Sequence, residues 1–195
     1  MKRATFALLV VAAFAACAQA STIPTLALDP ASGVVAGQPG TVVGWGFTLT
    51  YTASSDWVIL ADSSFTGSMV YGSYVDYLSL VNAPLYVAGP SPESSTISES
   101  WNSSSNPPLG LGEFDINSTA LPGADIPGTI QVDYDVFSED PNSPDFDPGS
   151  FLASGTVSAS AQVDVTPEPA SLLMMTTALL LFAYARWRRR KELRS

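Results

Sequence analysis

Carboxylates are the only side chains in the body of this chain that could carry acid–base or metal chemistry. Of its 18 Asp and Glu, all but Glu168 and Glu192 lie between Ser21 and Thr166, whereas the 8 Lys and Arg fall entirely in the first three and last ten positions and there is no His. That stretch therefore has no Ser-His-Asp or Cys-His constellation and no ordinary zinc ligand set. A pair of carboxylates could act as the acid and base of a glycosidase, but none stands at a recognisable spacing, and no enzymatic activity is expected. The one local concentration is Asp133, Asp135, Glu139, Asp140, Asp145 and Asp147. Asp133 and Asp135 share one face of a strand roughly 7 Å apart, and hard oxygen ligands of this kind suit calcium. Asp133, Asp135, Asp145 and Asp147 are the metal candidates, and calcium is the only cofactor considered. The segment departs from the EF-hand pattern D-x-[DN]-x-[DN]-G, and Pro141, Pro144 and Pro148 describe a solvated loop.

These carboxylates sit on a chain that reads as strands and turns. In Thr41 to Thr52, TVVGWGFTLTYT, the residues Val43, Trp45, Phe47, Leu49 and Tyr51 fall on one face by the period-two rule, which makes that face core. Gly44 and Gly46 lie on the other face, where the missing side chain lets a neighbouring strand or ring approach. Ile130, Val132, Tyr134 and Val136 alternate within Thr129 to Phe137, and Val157, Ala159, Ala161, Val163 and Val165 within Ala153 to Val165. Further strands are expected at Ile23 to Leu28, Trp57 to Leu60, Tyr74 to Leu80, Leu85 to Val87, Ser95 to Trp101 and Leu111 to Ile116. Proline- and glycine-rich turns separate them. Short alternating strands at this spacing predict an all-β antiparallel β-sandwich, with immunoglobulin-like topology as the first guess.

Charge narrows the function classes. From Ser21 to Thr166, about 145 residues in the commonest range of domain size, the net charge is about −16, more acidic than the −10 of the whole chain. Such a surface repels phosphates, so nucleic acid is excluded as a partner. No disulfide is available, because Cys17 is the only cysteine.

The ends carry targeting features. Lys2 and Arg3 precede an apolar run from Ala4 to Ala16, and Ala18-Gln19-Ala20 offers a cleavage site before Ser21, so residues 1–20 read as a secretory signal peptide removed by signal peptidase between Ala20 and Ser21. Cys17 as a lipid acceptor is the rival reading, weakened by Phe14 at the position where such signals usually carry Leu. At the other end, Pro167-Glu168-Pro169 interrupts regular backbone. An uncharged run from Ala170 to Ala185 follows, about 24 Å long as a helix against a hydrocarbon core of ~30 Å. Arg186, Arg188, Arg189, Arg190 and Lys191 then form a stop, with Trp187 suited to the interface. The expected organisation is a signal peptide at 1–20, an extracytoplasmic acidic domain at 21–166 and a tail at 167–195, with a transmembrane helix at 170–187 and basic residues at 186–195.

This order of Pro-Glu-Pro, short apolar helix and Arg-rich terminus resembles the PEP-CTERM sorting signal of Gram-negative bacteria, a region that also carries the label ice-binding protein C-terminal domain. The resemblance covers Val165 to Arg194. It implies that an exosortase, a membrane-embedded processing enzyme, recognises Pro167, Glu168 and Pro169. It also implies a precursor in the inner membrane that is then placed at the cell surface or released, with an extracellular polysaccharide matrix as a possible surrounding. A subset of such proteins has a similar body, matched here by Pro30-Ala31-Ser32-Gly33, Val43-Gly44-Trp45-Gly46-Phe47 and Tyr134 to Pro141, and this brings no activity with it. The expectation is a non-enzymatic surface or matrix protein. The alternative is a carbohydrate-, ice- or calcium-binding module, for which Thr48, Thr50 and Thr52 would need further Thr in register on adjacent strands.

Overall fold

The computed structural model describes residues 23–53, 55–90, 95–167, 174–182 and 186. Ten strands are present: β1 (Thr25–Asp29), β2 (Val34–Gly37), β3 (Val42–Tyr51), β4 (Trp57–Phe65), β5 (Gly72–Asp76), β6 (Val87–Ala88), β7 (Ser95–Glu99), β8 (Gly112–Ile116), β9 (Asp125–Phe137) and β10 (Phe151–Val165). They form two five-stranded sheets. One runs β1-β3-β8-β5, with β7 also on β3, and the other runs β2-β10-β9-β4-β6. All pairings are antiparallel except β2 with β10. The order β1-β3-β8-β5 facing β10-β9-β4 is the relative order A-B-E-D over G-F-C of immunoglobulin domains. Two features depart from that plan: β6, beside β4, follows β5 in sequence, and the position beside β3 is shared by two strands.

The expected core strand is borne out. Val43, Trp45, Phe47, Leu49 and Tyr51 are all buried, and their partners across the sandwich include Ile130, Val132, Tyr134 and Val136 of β9 and Ala161, Val163 and Val165 of β10. Trp45 stacks on Phe65 with ring centroids 5.7 Å apart, and Phe65 meets Phe114 edge-on at 5.6 Å. The glycine reading also holds. The second half of β3 pairs with β7 and the first half with β8, and the chain between them makes a detour closed by a bridge from Asn102 to Leu109. That detour lays Trp101 over Gly44, where a Cβ would overlap its ring, and a Cβ on Gly46 would come within 2.8 Å of Ser100 Cα.

Some strand bounds differ from those the sequence predicts. β2 has no counterpart among the expected strands, β4 runs five residues past Leu60, and β5 ends at Asp76 rather than Leu80. Four residues, Val34-Val35-Ala36-Gly37, are too short a signal for β2, whose place is set by its parallel pairing with β10. After β5, the Asp76 carboxylate accepts the amides of Leu78 at 2.9 Å and Ser79 at 3.2 Å, so the chain turns where the sequence still looks extended.

The expected signal-peptide cleavage site at Ala20 and Ser21, Cys17, Glu168 and Pro169, and the basic residues Arg188, Arg189, Arg190 and Lys191 lie outside the described residues. Residues 174–182 and Arg186 are helical and exposed. Among the described residues no helix is long and apolar enough to cross a membrane, and the expected span 170–187 lies partly outside them.

Candidate functional site

The acidic candidates separate into two groups. Asp133 and Asp135 sit on the outer face of β9, with Asp133 exposed and Asp135 half-buried. Beside them lies Asp62, which is paired with Asp133 across β4 and β9. Sequence reasoning missed Asp62 because a bulge between Leu60 and Asp62 shifts the register there. By simple alternation Asp62 would follow Leu60 inward, and the extra residue turns it out. Ser154, Gly155 and Thr156 of β10 complete a shallow hollow with these carboxylates, and the Thr156 hydroxyl donates to Asp133. Burial, then the charges of Asp133, Asp76 and Asp135, push the Asp62 carboxyl above its ordinary value. The hollow is a strip of mutually repelling anions.

Asp145 and Asp147 are committed elsewhere, in the loop between β9 and β10. Asp147 Oδ1 accepts the amide of Gly149 at 2.8 Å and caps a one-turn 3-10 helix, Pro148–Ser150. The Asp147 amide in turn donates to Glu139 at 3.2 Å, and the Asp145 amide to the Ser143 hydroxyl at 3.2 Å. These are turn-forming bonds. Among the described residues no group of three or more His, Cys, Asp or Glu could hold a metal ion. The expectation of a calcium site built from Asp133, Asp135, Asp145 and Asp147 is not supported: the four carboxylates do not come together as a metal-holding group among the described residues, and Asp147 Oδ1 is engaged in the cap.

A second surface answers the condition set for Thr48 and Thr50. On the outer face of the first sheet, Thr25 of β1, Thr50 of β3 and Thr96 of β7 stand in one row, and Ala27, Thr48 and Ser98 in the next. Their hydroxyls bond across strands, Thr48 to Ser98 at 2.9 Å and Thr50 to Thr96 at 3.4 Å. Thr52 lies beyond the end of β3. Strand spacing and rise make this patch about 10 Å by 7 Å.

Pro167, the first residue of the Pro-Glu-Pro stretch, is reached directly from the sheet. The Val165 amide donates to Ala124 O at 2.9 Å, Val165 O accepts from Gly123, and the Thr166 amide donates to Gly37 O at 2.8 Å. Pro167 follows at once, so no slack separates the last tethered residue from the first proline of the motif.

No family model matches the chain, and no curated protein matches it. Among solved structures it is similar to AggA, the major subunit of aggregative adherence fimbriae type I from Escherichia coli, with 10% identity, 74% of this chain and 95% of that chain covered, and a TM-score of 0.35. It is also similar to WR4, an MSP family member of C. elegans, at 9% identity, 73% and 98% coverage and a TM-score of 0.29. A PapD-like domain of human CEP192 overlaps at 11% identity, 76% and 89% coverage and a TM-score of 0.27. Likeness at this level bears on neither role nor partner.

Proposed function

We propose that this chain is an exported, non-enzymatic cell-surface or extracellular-matrix protein, delivered through its C-terminal tail by an exosortase in a Gram-negative envelope. The supporting observation is the order of the tail, Pro167-Glu168-Pro169, then an uncharged run, then a basic cluster, joined without a linker to a strand that is hydrogen-bonded up to Thr166. Prolines bar helix and ladder bonding on both sides of Glu168, which suits an extended peptide presented to a processing cleft. The body contributes an acidic scaffold that has no Lys, Arg or His from Ser21 to Thr166. Changing Pro167, Glu168 and Pro169 together to alanine should leave export and membrane insertion intact and block C-terminal processing, so that full-length protein accumulates in the inner membrane. Equal mature mass and equal cellular fraction for wild type and variant, measured by mass spectrometry in a host with the processing enzyme, would reduce the tail to an anchor.

A second reading, contact with a polyhydroxylated surface such as carbohydrate or ice, is favoured by the rows Thr25-Thr50-Thr96 and Ala27-Thr48-Ser98. Replacing Thr50 by Val keeps its shape and removes the hydroxyl. Loss of retention on a polysaccharide or ice column with unchanged melting temperature would support this reading, and unchanged retention would end it.

A further inference from the structure

Strand β10 pairs with β9 along nearly its whole length but with β2 only over its last four residues, from Gln162 to Val165. Beside Ala153 to Ala159, on the side away from β9, no strand is hydrogen-bonded among the described residues, and β1, which approaches β10, belongs to the facing sheet. The open stretch has defined ends. A bulge between Phe151 and Ala153 breaks the register at one end. At the other, Gly33 O accepts the Gln162 amide at 3.0 Å, and a Cβ on Gly33 would overlap Ser160 O. Because the Gln162 amide points to this side, period two sends the amides and carbonyls of Ser154, Thr156 and Ser158 the same way.

Exposed edges of this kind are normally blunted by charge, proline or a bulge. The segment from Ala153 to Ala159, ASGTVSA, carries neither charge nor proline. The other open edges are guarded by charge, proline or shortness: β1 ends in Asp29 and lies between Pro24 and Pro30, β5 ends in Asp76, β7 ends in Glu99, β4 carries Asp62, and the uncharged β2 and β6 are only four and two residues long. On a body of about −16 net charge, an uncharged edge marks the place where a second equally anionic body can approach. We propose that two copies of this chain join antiparallel through Ala153 to Ala159, centred on Thr156, making one continuous sheet across the pair.

The register is self-complementary, as an isologous contact requires. Ser154 meets Ser158 and Thr156 meets its own copy on the outer face, while Ala153 meets Ala159 and Gly155 meets Val157 on the inner face. No like charges are opposed. The nearest carboxylates across the axis, the two Asp133, are roughly 10–14 Å apart for strands ~4.8 Å apart, beyond the ~8 Å Debye length at physiological salt. The contact is smaller than the ~1,200 Å² of stable complexes, so the dimer is concentration-dependent and strengthens with salt. Antiparallel pairing also sends the two Val165 residues to opposite ends, roughly 60 Å apart at ~3.3 Å per residue. Two chains held by their tails in one bilayer cannot meet in this way, so the pair belongs to chains freed from the tail. That last consequence rests on the proposed tail function, whereas the dimer does not.

The test uses the full chain in detergent solution with Cys17→Ser. Thr156→Cys should cross-link into a dimer under mild oxidation, since hydrogen-bonded antiparallel residues stand ~5.5 Å apart at Cα, within disulfide range. Ser64→Cys, exposed on β4, is the control. Sedimentation should show a monomer–dimer equilibrium that Ser154→Asp with Ser158→Asp weakens by about tenfold or more and that added salt strengthens. Ser158→Pro should act likewise, because the amide it removes is not in the β9 ladder. The aspartate pair decides the matter if the proline variant does not fold. A chain that stays monomeric at its highest soluble concentration overturns the proposal, as does a dimer unaffected by the aspartate pair or cross-linking at Thr156→Cys no greater than at the control. Alanine at Pro167, Glu168 and Pro169 should dimerise like wild type in detergent, so failure of the tail reading leaves this readout untouched.

Discussion

The indole N–H of Trp45 donates to the carbonyl oxygen of Gly33 over 2.8 Å, and the same oxygen accepts the Gln162 amide at 3.0 Å. One carbonyl thus ties the centre of β3 to the edge of the opposite sheet, at the turn where the chain leaves β1 and enters β2. That turn is closed by the Gly33 amide on Pro30 O at 2.8 Å. Two short sequence features far apart in purpose, a turn and a glycine-flanked tryptophan, are therefore one structural unit.

Truncating Trp45 tests that unit. The side chain is fully buried, and Trp45→Ala should destabilise the domain by ~3–5 kcal/mol, as removal of large core aromatics does. Trp45→Phe retains part of the volume and loses the bond to Gly33, so it should cost less. Equilibrium denaturation measures both. A variant that keeps its melting temperature but loses a ligand would make Trp45 a binding platform instead of a core residue.

Gly33 is the complementary test. Its φ of +69° lies in the left-handed region, and a Cβ would overlap Ser160 O. Strain at such a position costs ~1–3 kcal/mol before any clash is counted, so Gly33→Ala should lose at least that much by chemical denaturation. No loss would mean that the turn and the β10 edge move apart freely.

Legibility followed from periodicity. β3, β9 and β10 alternate over many residues, and every inward position expected on β3 and β9 is buried, because a half-buried strand is written at period two. The bulge in β4 and the two-part edge of β7 and β8 carry no such signal, since they arise from pairing across the sheet. Asp62 and Ser63 were invisible for that reason. The acidic site was misassembled because a run of carboxylates says nothing about which of them its own loop consumes, and Asp147 is spent on a cap.

Ser63 is the buried polar residue that the same bulge turns inward. Its Oγ lies 2.8 Å from Tyr74 OH, 2.8 Å from Leu111 O and within bonding distance of Asp76 Oδ1. With one hydroxyl proton available, Ser63 donates to the carboxylate, the strongest acceptor, and accepts from Tyr74. This links β4 of one sheet to β5 of the other. Burial raises the Tyr74 phenol above its ordinary value, consistent with a protonated donor. Ser63→Ala leaves Asp76 and Tyr74 short of a partner and should cost ~1–3 kcal/mol. Wild-type stability in the alanine variant would show that water replaces the hydroxyl without loss.

Asp62 gives a pH dependence of definite sign. Its carboxyl is raised above 3.8 in the folded protein, by burial first and then by Asp133, Asp76 and Asp135. Between the unfolded value and the raised folded one, the native state holds more protons than the unfolded state, so stability falls as pH rises through that window. Below it both states are protonated and the penalty is absent; above it the penalty is complete. Asp62→Asn removes the charge and supplies a donor to Asp133, and because the site is exposed the gain is small, a rise in Tm of about 1–2 °C at neutral pH. The difference from wild type should vanish near pH 3, and salt should shrink it at neutral pH by screening. Calorimetry across pH decides the sign. If Asp62→Asn instead lowers Tm at neutral pH, and only in the presence of calcium, Asp62, Asp133 and Asp135 hold a cation and do not form a repulsive strip.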